Sequence, residues 1–184
     1  MTIKERYTGV LSLLAQEWPT ADSELHFENA YQLLVAVMLS AQCTDKRVNM
    51  VTPALFTAYP TVEQLAIASA DDVLQYIKSV SYPNSKSTHL VEMAKRVVEV
   101  YNGQIPNKRE ELQTLAGVGR KTANVICAVW WNQPTMAVDT HIFRVAERIG
   151  LTTNAKNPLE SEKQLIKHIP EDIIPKAHHW LLLH

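Results

Sequence analysis

Residues 115–144 read LAGVGRKTANVICAVWWNQPTMAVDTHIFR, and the way this stretch folds decides the rest. Gly117 and Gly119 flank Val118 in a turn that opens a helix near Arg120 and Lys121. Glycines there let the backbone approach a ligand closely, and the helix start presents unpaired amides and positive dipole character to an anion such as a phosphate. Ala123, Val125, Ile126, Ala128 and Val129 recur at helical spacing. They predict a helix over 118–131, about 20 Å long at roughly 1.5 Å per residue. Pro134 stops it, and the 132–138 segment spans about 23 Å when extended at roughly 3.3 Å per residue. A segment of that length runs back along the helix and returns Asp139 to the end where Lys121 sits. A second helix, DTHIFRVAERIGL, then begins at Asp139 and is closed by Gly150.

Taken singly, neither residue carries chemistry. A lone lysine is most often a solvated surface group, and a lone aspartate before a helix most often accepts a capping hydrogen bond. Together, beside a phosphate seat, they mean more. A helix start disfavours a second positive charge, so an amine held there is suited to nucleophilic attack, with a carboxylate nearby to handle the proton or the charge that develops.

The remainder of the chain is helical in pattern. It has 184 residues, 46% of them hydrophobic, enough to bury a core in one unit or two small lobes. Helices are predicted near 2–17, 28–42, 45–58, 61–68, 70–78, 84–101, 108–116, 118–131, 139–149, 158–168 and 173–184, with no sustained strand alternation and no fixed repeat. The fold class is all-α. The N-terminus, MTIKERYTGV, carries charges in place of an apolar leader, and no run reaches the roughly 18 apolar residues of a membrane span, which points to a soluble, cytoplasmic protein.

Net charge is −1, a poor match to a nucleic-acid binder until its distribution is read. Residues 1–82 carry five basic and nine acidic side chains, whereas 83–128 carry seven basic against four acidic. The basic excess surrounds the Gly-Val-Gly turn and predicts salt-sensitive but moderate affinity for DNA.

At these residues the sequence resembles the endonuclease III family of DNA glycosylases, within the helix-hairpin-helix glycosylase superfamily. The likeness runs through LLVAVMLSAQCTDKRVN (33–49), NSK (84–86), NGQIP (102–106), GVGRKTANV (117–125) and VDTHIFRV (138–145). It implies a two-lobed fold, with a six-helix lobe over 23–133 and a second lobe formed by 1–22 and 134–184, and an active site between them. Trp18-Pro19-Thr20 and Asn132-Gln133-Pro134 are the expected crossing points.

By the same resemblance Lys121 is a Schiff-base nucleophile and Asp139 its carboxylate partner. Gly117, Val118, Gly119, Arg120 and Lys86 contact DNA, while Gln42 and Tyr82 fill the hole left when a damaged nucleotide is flipped from the duplex. Ser40, Asp45, Gln113, Thr140, His141 and Arg144 are supporting pocket residues. Five positions depart from the family pattern: Ser81-Tyr82-Pro83 replaces glycine, leucine and tyrosine, Ala116 replaces a proline, and Gln113 stands where some relatives carry glutamate.

The implied activity is a bifunctional DNA glycosylase and abasic-site lyase of base excision repair. It acts on damaged, oxidised pyrimidines in double-stranded DNA, as a monomer associated with the bacterial nucleoid. Two other readings stand beside it: a monofunctional glycosylase using water, which Lys121 disfavours, and a non-catalytic helix-hairpin-helix module that only binds DNA, which Asp139 disfavours.

No cofactor is needed for amine chemistry, and no metal site is expected in this chain. Family members end in four cysteines that hold a [4Fe-4S] cluster, so a cluster is expected only if such a segment lies beyond His184. Cys43 and Cys127, the only two cysteines, cannot supply four thiolates. The apolar run ending at His184 without a capping signal points to a chain clipped before that segment, the other reading being a cluster-free relative.

Overall fold

The computed structural model describes residues 2–184. Among these the chain forms α1 (Ile3–Glu17), α2 (Ala30–Ser40), α3 (Asp45–Ala58), α4 (Val62–Ala66), α5 (Ala70–Ile77), α6 (Pro83–Tyr101), α7 (Arg109–Leu112), α8 (Arg120–Trp131), α9 (Thr140–Arg148), α10 (Pro158–His168), a 3₁₀ turn (Glu171–Ile173) and α11 (Ile174–Leu183). The described residues contain no strand. The chain divides into two units, one made of Glu24–Ile126 and the other of Met1–Ser23 with Cys127–His184.

In the Glu24–Ile126 unit, α2 is apolar on every side because it is buried on every side: Leu33, Leu34, Val35, Ala36 and Leu39 are fully enclosed. α3 and α6 pack against it and α4 and α5 pack on α6, burying Val48 and Leu55 of α3, Leu65 of α4, Val73 and Ile77 of α5, and Leu90, Met93, Ala94 and Val97 of α6. The helix starts are capped as the sequence suggests. Asn29, Thr44, Thr61 and Ser69 each accept a first-turn amide, and Thr61 with Gln64 closes a reciprocal capping box.

The other unit has its own core, where Tyr7, Leu11 and Leu14 of α1 meet Ile142, Val145 and Ala146 of α9, Leu165 of α10 and Ala177, Trp180 and Leu181 of α11. Long-range polar ties join its two chain segments. The Tyr7 hydroxyl donates to the Leu151 carbonyl at 2.6 Å, Arg6 donates to the Gly150 carbonyl at 3.0 Å, and the Trp180 indole donates to the Trp18 carbonyl at 3.0 Å.

Several helix ends differ from the sequence expectation for identifiable reasons. The helix predicted over 108–116 is only Arg109–Leu112, because Thr114, Leu115 and Val118 each donate to the carbonyl three residues back and wind the chain into tight turns. The helix predicted over 28–42 stops at Ser40, since Gln42 takes a left-handed φ of 54°. Asn132, with φ of 50°, closes α8 by a Schellman-type bond in which the Gln133 amide donates to the Cys127 carbonyl at 3.0 Å.

Candidate active site

The glycine turn is built as a seat. Gly117 has φ of +73°, and a Cβ added there would lie 3.0 Å from the His89 Cβ and 3.2 Å from its imidazole ring. Gly119 differs, having no atom within 4 Å of the corresponding position. Internal packing therefore dictates a glycine at 117, whereas the bare backbone at 119 faces open space. Val118 between them is buried and anchors the turn, and α8 starts directly afterwards at Arg120. Arg120 is half-buried and Lys121 exposed in its first turn, while Ala123, Asn124, Ile126 and Cys127 face inward.

A carboxylate lies within electrostatic reach of Lys121 in the same unit. Asp45, in the first turn of α3, is held above the ordinary aspartate value by burial and then by Glu24, with Lys121 pulling in the opposite direction. Asp139 belongs to the other unit. It is the N-cap of α9, its Oδ1 accepting the Ile142 amide at 2.8 Å. Thr140, His141 and Arg144 follow on the exposed side of that helix, opposite the buried Ile142, Val145 and Ala146. Ser40 has its hydroxyl donated to the Val37 carbonyl at 2.9 Å, and Gln113 is exposed at the end of α7.

Gln42 and Tyr82 line one cleft of about 230 Å³ with Met38, Lys86, His89 and Gly117. Both have φ of 54°, a conformation that costs a non-glycine residue on the order of 1–2 kcal/mol. Tyr82 is 64% exposed at the start of α6, so its ring is presented outward. Ser81 ties the two together, its hydroxyl donating to the Gln42 carbonyl at 2.6 Å.

Lys86 requires a correction. The sequence places it among DNA contacts, but its side chain is buried and its ammonium donates to the Leu39 and Ala41 carbonyls, each at 2.6 Å. Burial also draws its pKa below the ordinary lysine value, against a smaller opposing pull from Cys43. A cation engaged at the carbonyl end of α2 is not presented to a phosphate. The basic excess of this region is trimmed further by Lys108 paired with Glu111 at 3.4 Å and Arg109 with Glu110 at 2.8 Å.

His89 and Ser81 were missed as site residues. Their only sequence signal is register: Ser81 immediately precedes Tyr82, and His89 lies seven residues after it, two turns along α6.

The residues present do not fit an iron–sulfur cluster. Cys127 is fully buried between Ile126 and Ala128 on α8, Cys43 is half-buried after α2, and the two lie in different units. Among the described residues no three His, Cys, Asp or Glu side chains are grouped to hold a metal ion.

Known proteins resemble this chain along most of its length. A family model described as HhH-GPD superfamily base excision DNA repair protein matches residues 35–171. The chain is 44% identical over 175 residues to Endonuclease III of Rickettsia felis, covering 95% of this chain and 82% of that one. It is 39% identical over 181 residues to Endonuclease III of Haemophilus influenzae, covering 98% and 85%. A solved structure of a trapped Endonuclease III–DNA covalent intermediate, an estranged-adenine complex, superposes with a TM-score of 0.94 at 38% identity, over 100% of this chain and 86% of that one. A thermostable thymine-DNA glycosylase, with a TM-score of 0.84 but 19% identity, shares the fold. With a glycine turn opening a lysine-bearing helix, and with likeness along nearly its whole length, the chain belongs to the endonuclease III family of the HhH-GPD superfamily.

Proposed function

We propose that this protein is a bifunctional DNA glycosylase and abasic-site lyase of base excision repair, acting on oxidised pyrimidines in duplex DNA. The observation that carries the reading is the near-complete likeness to an Endonuclease III trapped covalently on DNA, combined with an exposed lysine in the first turn after a glycine seat. A monofunctional enzyme has no need of an amine at Lys121, and a pure binding module has none either.

The turn at 117–119 holds a phosphate near the lesion through its backbone amides. Gln42 and Tyr82 occupy the space vacated by the flipped nucleotide, offsetting a few kcal/mol of lost stacking. The Lys121 amine attacks C1′ of the deoxyribose through its nitrogen lone pair as the bond to the base breaks, and the base leaves with the electron pair and takes up a proton. Nitrogen loses a proton, the sugar ring opens, and the resulting iminium acidifies the C2′ hydrogens. Removal of one of them expels the 3′ phosphate by β-elimination, and water then hydrolyses the imine to free the lysine. Asp139 is the carboxylate that accepts the amine proton or balances the developing positive charge.

The amine chemistry proposed for Lys121 calls on no cofactor. The place of action is the bacterial cytoplasm, at the nucleoid.

Borohydride reduction on duplex DNA with a single abasic site tests the reading. Wild-type protein is expected to give a covalent adduct and Lys121→Ala none, while the variant still binds the duplex. An undiminished adduct in Lys121→Ala would remove Lys121 as nucleophile. On a second duplex that still carries an oxidised pyrimidine, base release by wild-type protein that forms no adduct with either substrate would instead establish the monofunctional enzyme.

A further inference from the structure

Lys86 sits in the first turn of α6, four residues after Tyr82, whose carbonyl accepts the Lys86 amide at 3.1 Å. Its side chain crosses to the end of α2 and donates to Leu39 and Ala41 at 2.6 Å. The last turn of α2 has no basic residue of its own, so its outward-facing carbonyls take their cation from another helix. Gln42 follows immediately. A second link runs the other way, from the Ser81 hydroxyl to the Gln42 carbonyl. Two residues in a strained backbone conformation are therefore bracketed by three hydrogen bonds from two side chains, the arrangement needed for such strain to persist.

We propose that Lys86 and Ser81 are paired positioning residues that fix the spacing of Gln42 and Tyr82, and so set how firmly the enzyme holds a damaged nucleotide out of the duplex. This rests on Gln42 and Tyr82 being the residues that fill the vacated space. Lys86 makes no contact with DNA; it acts through the backbone of the α2 terminus. A pair of side chains held at fixed separation enters the stack without first paying the entropy of ordering its loops.

The test compares Lys86→Met and Ser81→Ala with wild type on two duplexes, one undamaged and one carrying a tetrahydrofuran abasic analogue beside 2-aminopurine. Both variants are expected to bind undamaged DNA with wild-type affinity and salt dependence. On the second duplex the fluorescence rise that reports unstacking is expected to fall about tenfold, with single-turnover base release on lesion DNA falling by as much as a hundredfold. Gln42→Ala combined with Lys86→Met is expected to be no worse than Gln42→Ala alone, since both act on one element.

A salt slope reduced by about 0.9 with normal fluorescence would make Lys86 a phosphate contact and overturn the proposal. Additive losses in the double variant would overturn it as well. If Lys86→Met does not fold, Ser81→Ala decides, and an unaltered fluorescence rise in that variant sinks the idea. Loss of the signal in Gln42→Ala and Tyr82→Ala, with its retention in the other two variants, breaks this proposal alone. Retention in Gln42→Ala and Tyr82→Ala breaks the underlying reading of the wedge and this proposal with it.

Discussion

Gly117 lies so close to His89 that an added methyl group would stand 3.0 Å from the His89 Cβ, while two residues on Gly119 faces nothing within 4 Å. The two glycines of one turn thus answer to different constraints. Gly117→Ala adds a side chain at a φ of +73° and presses it on His89, and the left-handed conformation alone costs about 1–2 kcal/mol. A melting temperature lowered by roughly 2–8 °C is expected. Gly119→Ala is expected to melt like wild type yet bind duplex DNA more weakly, because its new methyl group occupies the face offered to phosphate. Calorimetry with a DNA titration checks both, and a normal affinity for Gly119→Ala would remove that face from the binding surface.

Asp139 has a structural duty that any catalytic assignment must be separated from. Its Oδ1 caps α9, and asparagine performs that task about as well. Asp139→Asn is therefore expected to keep its melting temperature and DNA binding while losing turnover by at least about a hundredfold. Asp139→Ala is expected to lose the same turnover and about 1 kcal/mol of stability besides. Near-normal turnover in the asparagine variant would confine Asp139 to capping.

The carboxyl of Asp45 is raised, mainly by burial, so the folded state holds its proton more tightly than the unfolded chain does. Ionisation therefore works against folding, and stability is lost as pH climbs from the ordinary aspartate range through the raised value. Asp45→Asn, neutral throughout, is expected to melt higher than wild type at about pH 7 and to show no such advantage near pH 3. Melting curves across that range provide the check, and an advantage that grew on acidification would contradict the sign.

Tyr7 acts at the other end of the scale. Burial pushes its hydroxyl up to about 12, and it donates to the Leu151 carbonyl at 2.6 Å. The neutral phenol is favoured in the folded state, so its contribution is intact below about pH 10 and lost as pH rises beyond it. Tyr7→Phe is expected to cost about 1 kcal/mol at neutral pH through the unsatisfied carbonyl. The gap to wild type is expected to close in alkaline solution, and a constant gap would place the effect in packing alone.

Helical periodicity and punctuation carried the secondary structure well where residues act locally. Pro158 and the amphipathic run behind it mark α10 at its observed ends, and the caps at Thr44, Thr61 and Ser69 are readable as hydroxyls before apolar periods. The site was less legible wherever a side chain works at a distance. Lys86 looks like any basic residue on a helix, and only the folded chain brings it to carbonyls 45 and 47 positions away. The demand for glycine at 117 likewise comes from His89, on another helix. Asp139 is open to two readings, a cap and a reactant; the capping bond to the Ile142 amide is local and follows from its place before α9, whereas a reactant's role depends on what the fold brings to it.

The left-handed backbone at Gln42 and Tyr82 also limits how this enzyme can diversify. Valine, isoleucine and threonine are poorly tolerated at such φ values, since a branched Cβ crowds its own carbonyl. Substitutions at these two positions are therefore expected to come from side chains that are not branched at Cβ. The backbone has narrowed the evolutionary vocabulary of these two positions before any DNA is bound.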